Sequence, residues 1–241
     1  DTFGTVADVG PGSPTGVCFG YGAKFPAKYQ NAFFISDWSY GKLYAVHLSP
    51  QGSTYTGKVE EFASAQPFPL TDLLVNPKDG AMYIAVGGRK VQSGLYRITY
   101  EGKESTAPAK SMPGGEEARK RRQALESFVQ REAKPANKNQ LNKIWSSLAA
   151  QDRGIRHAAR VALEKQPVKK WKSRLASEKS PVIASAAMIA LARADATSGE
   201  TVLQKAMTFK YRDLKSRQQK LDLLRSITLA LTRGGQPAEE Q

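Results

Sequence analysis

"FFISDWSYGKLYAVHL", residues 33–48, consists of two runs rich in aromatic and β-branched residues, separated by a short break of turn-forming residues. Runs of this composition are typical of β-strands. Within the break, Asp37, Ser39 and Gly41 supply backbone conformations that the flanking residues resist. The stretch therefore predicts two antiparallel strands that are joined by a tight turn.

The same pattern recurs along the first half of the chain, at a spacing of about 50 residues. Three segments of a first copy match three segments of a second: residues 15–19, 32–35 and 41–46 match residues 71–75, 81–84 and 94–98. Strands in the first copy are predicted near residues 16–20, 32–36, 42–48 and 54–62. The second copy ends after its third strand, at Tyr100. Four short strands in a period of this length are typical of a β-propeller blade.

Residues 1–104 are therefore predicted to form about two blades of a β-propeller. A closed ring takes roughly four to eight blades, because each blade buries its faces against its neighbours. Two blades do not close such a ring. We therefore expect the missing blades to precede Asp1, which makes this chain the C-terminal part of a longer protein.

The second half of the chain has the apolar spacing of helices. Residues 105–115 are rich in Gly, Pro, Ser and Lys and are predicted to be a linker. From Glu116 onward, apolar residues three and four positions apart recur in four groups, at residues 124–129, 141–148, 155–163 and 202–207. Ser180 before Pro181 suits a helix N-cap, and Thr197 with Glu200 has the spacing of a capping box.

The helices also repeat. Residues 158–163 recur as residues 186–191 and, more weakly, as residues 227–231, and each copy carries small residues on one face. Small residues let a neighbouring helix approach closely. The pattern predicts six or seven helices over residues 116–241, stacked in pairs as an α-solenoid of the HEAT or armadillo type. The predicted fold class is thus β plus α in two domains, a partial propeller followed by helical repeats.

Charge divides unevenly along the chain. Residues 1–104 hold 9 Lys and Arg and 9 Asp and Glu, so that 27 and 13 of the totals of 36 and 22 remain for residues 105–241, and the net charge of +14 lies in the second half. The asymmetry favours two domains with different surfaces. Cys18 is the single cysteine, which excludes an internal disulfide and a multi-cysteine metal or haem site. No apolar run reaches the roughly 18 residues that span a bilayer.

Two stretches resemble a known family: residues 13–48, "SPTGVCFGYGAKFPAKYQNAFFISDWSYGKLYAVHL", and residues 69–100, "PLTDLLVNPKDGAMYIAVGGRKVQSGLYRITY". They are similar to the last propeller blades of large planctomycete-type proteins often called membrane-bound dehydrogenase-like. "DRGIRHAARVALEKQP", residues 152–167, resembles the HEAT-type region that follows those blades. The propeller of that family is itself similar to those of glucose and sorbosone dehydrogenases, which use pyrroloquinoline quinone (PQQ).

The resemblance implies part of a quinoprotein-like dehydrogenase that oxidises a sugar or an alcohol, with the helical repeats as a spacer or docking scaffold. The resemblance also implies export to the periplasm; the residues of this chain contain no targeting signal that would indicate it. The catalytic histidine and most of the cofactor site would come from earlier blades, so the resemblance identifies no catalytic residue here, and this chain by itself is expected to be inactive. A haem domain follows in many relatives, but this chain has no Cys-x-x-Cys-His motif.

Four residues in predicted turns or at strand starts are candidates for cofactor binding. Arg89 and Lys90 follow two glycines, and such a pair can hold a carboxylate-rich quinone, although a solvated charged turn is favoured. Trp38 either stacks on a cofactor or sugar or, as is favoured, packs between blades. Asp72 stands where the other copy has Gly16, and either reaches a central channel or caps a turn. His47 and His157 lack companions at metal-ligand spacing, so no metal site is predicted.

Three segments of the second half are strongly basic: residues 118–126, 166–174 and 210–220. Such segments suit a nucleic acid, an anionic polysaccharide or an acidic protein partner. A solvated basic face is favoured, because the clusters are interrupted, and specific nucleic-acid binding is disfavoured, because no nucleic-acid-binding motif is present. The alternative to a dehydrogenase fragment is therefore a non-catalytic platform of propeller and HEAT repeats that binds proteins or polyanions.

Overall fold

The computed structural model describes residues 4–88, 90–110 and 112–233. The chain divides into two units, Asp1–Gly115 and Glu116–Gln241, which we call the sheet unit and the helical unit. The described residues form a mixed β and α structure, with seven strands in two antiparallel sheets and eight α-helices. Two predictions fall outside the described residues: Arg89 as a cofactor-binding residue, and residues 234–241 as part of the helical repeats.

The sheet unit contains two meanders, in which each strand pairs with the next along the chain. The first is β1 (Pro14–Phe19), β2 (Phe33–Asp37), β3 (Lys42–Gln51) and β4 (Thr54–Ser64), with the short helix α1 (Ala27–Gln30) between β1 and β2. The second is β5 (Leu70–Val75), β6 (Met82–Gly88) and β7 (Val91–Ile98). The four strands predicted for the first copy and the three predicted for the second are confirmed.

The turn between β2 and β3 forms where the opening stretch of sequence predicts it. Gly41 has a φ of +61°, a conformation that side chains with a Cβ disfavour. The carboxylate of Asp37 accepts a 2.9 Å hydrogen bond from the backbone N–H of Ser39, which closes the turn locally. Turn chemistry and strand propensity therefore agree at this point of the chain.

The two sheets share one hydrophobic core, to which Phe34 and Leu43 contribute from the first sheet and Leu70 and Ile84 from the second. All four side chains are fully buried. The closest approach is between β1 and β5, and there the hydroxyl of Thr15 donates a 2.8 Å hydrogen bond to the carbonyl of Leu70. The first strands of the two copies therefore lie side by side.

Residues 105–110, within the predicted linker, lie against the sheet unit. The side chain of Gln30 is 4% exposed and donates a 2.9 Å hydrogen bond to the carbonyl of Ala107. Its oxygen accepts a 2.9 Å hydrogen bond from the backbone N–H of Ala109. Composition alone does not reveal these bonds, because the linker-like residues contribute only backbone atoms and the glutamine lies far away in sequence.

As far as Arg233, the last described residue, the helical unit contains seven α-helices: α2 (Glu116–Glu126), α3 (Lys138–Ser147), α4 (Arg153–Glu164), α5 (Lys172–Ser177), α6 (Pro181–Ala194), α7 (Gly199–Met207) and α8 (Arg217–Arg233). The predicted cap at Ser180 is confirmed, because its hydroxyl accepts from the N–H of Ile183 and Pro181 begins the helix. The predicted capping box of Thr197 and Glu200 is wrong. Thr197 instead bonds to the carboxylate of Asp195, in a short 3₁₀ turn before α7.

The even-numbered helices of this unit pack on one another in order: α2 packs on α4, α4 on α6, and α6 on α8. The helices α3 and α7 pack on the members that follow them, α4 and α8. The repeated segments 158–163, 186–191 and 227–231 lie in α4, α6 and α8. Alanines in these segments are buried, so the helices approach closely.

Candidate functional site

Trp38 joins the two sheets at the end where β2 and β6 finish. Its indole Nε1 donates a 3.0 Å hydrogen bond to the carbonyl of Gly87. A Cβ on Gly88 would lie 3.0 Å from the indole ring, so the glycine leaves the room that the indole occupies. Trp38 therefore contacts both sheets, while 41% of its surface remains exposed.

Lys90 lies in the turn between β6 and β7, with a φ of +61° and an exposed side chain. Arg89, its predicted partner in quinone binding, lies outside the described residues. The space beside Gly88, the second of the two glycines before Arg89, is filled by the indole of Trp38. Of Arg89 and Lys90, therefore, only Lys90 is described, and its charge lies at this end of the sheets.

Asp72 lies on β5, at the contact between the two copies. Its Oδ1 accepts a 2.8 Å hydrogen bond from the N–H of Leu73, and a Cβ on Gly16 would lie 2.5 Å from its Cα. The two residues that occupy the same position in the repeat therefore face each other, and Gly16 must be small because Asp72 is opposite.

Burial, together with the nearby carboxylate of Asp72, raises the pKa of Cys18 to about 11.

A cluster of titratable groups, which we call the Glu60 cluster, ties α1 to β3 and β4. The hydroxyl of Tyr29 donates a 2.7 Å hydrogen bond to Oε1 of Glu60, and Nε2 of His47 lies 2.6 Å from Oε2. Lys28 approaches the same carboxylate at 3.4 Å. The Tyr29 hydrogen bond, with help from His47 and Lys28, holds the pKa of Glu60 below its ordinary value. Both carboxylate oxygens are thus occupied, and the cluster stabilises the fold.

The helical unit has a pocket of about 620 Å³ between α3 and α5, lined by Ala136, Asn137, Lys138, Leu141, Asn142, Lys170 and Arg174. We call it the basic pocket, because its three ionisable lining residues are all cations. Lys138 and Lys170 form no ion pair with any residue that the structure describes. An anion entering the pocket would therefore meet positive charge that no carboxylate of its lining neutralises.

Arg174 is held in position at this pocket. Its Nη1 donates a 2.9 Å hydrogen bond to Oδ1 of Asn142, and its guanidinium lies 4.9 Å from the centre of the Trp145 ring. Trp145 in turn donates from Nε1 to Glu178 at 2.9 Å, which fixes the ring. The remaining N–H groups of the guanidinium are therefore presented at little further cost in side-chain entropy.

Sequence reasoning found half of the basic pocket. The basic segment 166–174 contains Lys170 and Arg174, but Lys138 and Asn142 belong to α3, about 30 residues earlier. A local signal for α3 was present: Asn137 and Gln140 form a capping box, so Lys138 and Asn142 fall one turn apart on the same face. What the sequence lacks is the contact that brings α3 and α5 together.

His157 belongs to a charged network on α4 and α6. Nη2 of Arg160 lies 3.2 Å from Nδ1 of His157, and because a guanidinium can only donate, the imidazole nitrogen accepts. Arg160 is paired with Glu164, which Arg193 also contacts at 3.1 Å. Burial and the charge of Arg160 lower the pKa of His157. A neutral His157 therefore fits this network.

In the described ranges, no three His, Cys, Asp or Glu side chains come close enough to hold a metal ion. Over those same residues, no helix combines the length and apolar character that crossing a membrane requires. Comparison with models of protein families, with curated proteins and with solved structures finds no match to this chain. Function must therefore be argued from the residues themselves.

Proposed function

We propose that the sheet unit is a pair of adjacent β-propeller blades. Two antiparallel meanders follow each other along the chain, and their first strands β1 and β5 lie side by side. Gly16 and Asp72, at one repeat position, meet at this contact, and Trp38 spans the turns at one end. Blades of a propeller pack in this sequential manner, and further sheets from other polypeptide would complete the ring.

The helical unit, in the same proposal, is an α-solenoid of the HEAT type. The support is the alternation in which α2, α4, α6 and α8 contact one another in order, with α3, α5 and α7 between them in sequence. The repeated small-residue segments fall on alternate helices, as they do when each repeat is one helix pair. Such scaffolds present extended surfaces for binding partners.

We propose that the chain acts as a binding scaffold whose helical unit binds an anionic polymer at the basic pocket. One observation carries the proposal: Lys138, Lys170 and Arg174 meet around one concavity without a lining carboxylate, and Arg174 is already oriented. Arginine and lysine in this arrangement suit sulfate, phosphate or carboxylate groups. The aromatic rings beside the pocket, Trp145 and Trp171, are buried, so no ring is available to stack on a base. An anionic polysaccharide therefore fits better than a single-stranded nucleic acid.

The test is a titration of the whole chain with a sulfated oligosaccharide, followed by calorimetry at several salt concentrations. We expect Lys170→Gln combined with Arg174→Gln to weaken binding by roughly tenfold or more, because two charge-assisted contacts are lost. The dependence of log affinity on log salt should become shallower by roughly one to two units.

The matched control removes two neighbouring cations that do not line the pocket, through Lys165→Gln combined with Lys169→Gln. If this control weakens binding as much as the pocket variant, affinity comes from diffuse charge and the pocket is not the site. Tighter binding of a single-stranded oligonucleotide of equal charge would contradict the preference for polysaccharide.

A second candidate is the quinoprotein-like dehydrogenase that the sequence resembles, and one contact favours it. The bond between Trp38 and Gly87 brings together the two turns that the sequence proposes for PQQ. The charge of Lys90 and the exposed part of the Trp38 ring could contact an acidic quinone here. The space beside Gly88 could not hold it, because the indole already fills that space. PQQ, when bound, would accept the electrons of the oxidised sugar or alcohol.

In that proposal the chain contributes part of the cofactor wall, while the base that removes the substrate proton lies on other blades. Quenching of Trp38 fluorescence by PQQ, reduced in Lys90→Gln, would support it, as would dye reduction with aldoses or alcohols by a longer protein that includes those other blades. Saturating PQQ that changes neither fluorescence nor turnover would leave the scaffold as the function.

A further inference from the structure

Helix α8 presents an uncovered row of side chains, which we call the α8 row. Its exposed positions are spaced four, three, four and three residues apart: Arg217, Leu221, Leu224, Thr228 and Leu231. The three leucines are 48%, 46% and 42% exposed. This alternation of four and three is the heptad spacing by which one helix packs along another.

The opposite side of α8 is already occupied. Leu223, Ser226 and Ala230 are buried, and α8 contacts both α6 and α7. Single exposed apolar residues are usual on protein surfaces, whereas a contiguous apolar stripe marks a contact surface. The three leucines form such a stripe. The α8 row is therefore a face that is built for packing and has no partner within the described residues.

The repeat shows what kind of partner the face takes. When residues 227–231 are aligned with residues 187–191, Leu231 corresponds to Leu191 and Leu224 to Ala184. Both α6 residues are fully buried by neighbouring helices, whereas their α8 counterparts are exposed. The established stacking of α4, α6 and α8 thus stops at a surface whose natural continuation is another helix.

Charge selects among possible helices. The α8 row begins at the exposed cation Arg217, and Lys220 lies beside it, 5.3 Å from the ring of Tyr211. The nearby acid, Asp222, already accepts a hydrogen bond from Gln218. A second copy of α8 packed in parallel would bring Arg217 and Lys220 near the same two cations of its partner. A helix with acidic flanks is complementary.

We propose that the α8 row docks an amphipathic helix of a partner protein, with apolar residues at heptad spacing and Asp or Glu on both flanks. The leucines would fill the seam, and acidic residues beside the seam would meet Arg217 and Lys220. This proposal is independent of the anionic polymer, because the residues of the basic pocket play no part in it.

The probe is a labelled synthetic helix of about three heptads, with Leu at the seam and Glu at the flanking positions. A twin peptide carries Lys in place of Glu. The whole chain should bind the acidic peptide in the micromolar range and the basic twin at least about tenfold more weakly. Leu224→Gln combined with Leu231→Gln should weaken the acidic peptide by roughly tenfold.

The matched control is Leu74→Gln combined with Leu95→Gln, two leucines of the sheet unit that are 55% and 72% exposed. Circular dichroism should show unchanged helix content in both double variants, because exposed positions are altered. Unchanged affinity in the control, with loss in the α8 variant, supports the proposal.

Four outcomes overturn it: no binding of the acidic peptide, equal binding of the basic twin, equal weakening by the control, or loss of helix in the α8 variant alone. Sedimentation that shows self-association dependent on Leu224 would also overturn it, and would assign the face to a second copy of the chain.

Discussion

The sheet unit places its two repeat copies face to face, whereas the helical unit stacks its copies in a row. Where the sheets meet, the copies differ: the first needs Gly16, because a Cβ there would lie 2.5 Å from the Cα of Asp72, the residue at the same position of the second copy. In the helical unit, Ala159 and Ala187 recur and are both fully buried, since each copy meets the next in the same way. Repeats in contact with each other must become complementary, while repeats in a row can stay alike.

The two units also differ in how they manage charge. Within the described ranges, three carboxylates of the sheet unit form ion pairs, among them Glu61 with Lys42 at 2.8 Å and Asp79 with Arg97 at 3.2 Å. Residues 105–241, which include the helical unit, carry the whole net charge of +14. The ion pairs of the sheet unit hold its strands together, whereas the excess of cations in the second half leaves positive charge available for partners.

The largest expected effect tests how strongly the helical core depends on one side chain. Trp171 is fully buried, with its ring centre 6.5 Å from that of Trp145. Trp171→Ala should lower the free energy of unfolding by about 3–5 kcal/mol, because a large cavity remains. Urea unfolding followed by helical circular dichroism measures it. Trp38→Ala in the sheet unit should cost less, since that ring is partly exposed, and an equal cost would contradict the comparison.

The face-to-face contact of the sheets predicts the next largest effect. In Gly16→Ala the new methyl group would lie 2.5 Å from the Cα of Asp72, so the strands must separate. We expect a loss of about 1–3 kcal/mol of unfolding free energy. Gly4→Ala is the control, because a Cβ there meets no atom within 4 Å. A Gly16 variant as stable as the Gly4 variant would mean that the copies are not tightly apposed.

Acid should weaken the helical unit through His157. Its pKa is lower in the folded chain than the ordinary value of 6.5, so the unfolded chain binds more protons as the pH falls through about 6.5. The stability that the neutral imidazole contributes is therefore present above that pH and is lost below it. His157→Gln should make the unfolding free energy less dependent on pH between about 7.5 and 5.5. An unchanged slope would show that His157 does not titrate in this way.

The smallest effect concerns reactivity. Because the pKa of Cys18 is raised to about 11, little thiolate exists near neutral pH. Alkylation of the native chain should be slow at neutral pH and accelerate as the pH approaches that value, whereas the urea-unfolded chain should react readily. Mass spectrometry measures both rates. Equal rates in the native and unfolded chains would show that β1 does not protect the thiol.

The strands and most helices could be predicted because their signals are local. Alternation and turn residues around Asp37 fix β2 and β3, and Ser180 with Pro181 marks the start of α6. The contacts that define the sites are not local. Trp38 bonds to Gly87, 49 residues away, and the basic pocket needs a helix pairing that no spacing encodes. Thr197 does not cap α7, because its hydroxyl donates to Asp195 and it lies in the 3₁₀ turn before the helix.

One buried amide decides where the sheet unit can be cut. Gln30 is satisfied by the carbonyls of Phe25 and Ala107 and by the N–H of Ala109. A version truncated at residue 104 would strip two of these partners and leave interior amide atoms unbonded, at a cost of about 1–3 kcal/mol. Anyone excising the sheets for isotope labelling or crystallisation should therefore retain the chain through residue 110.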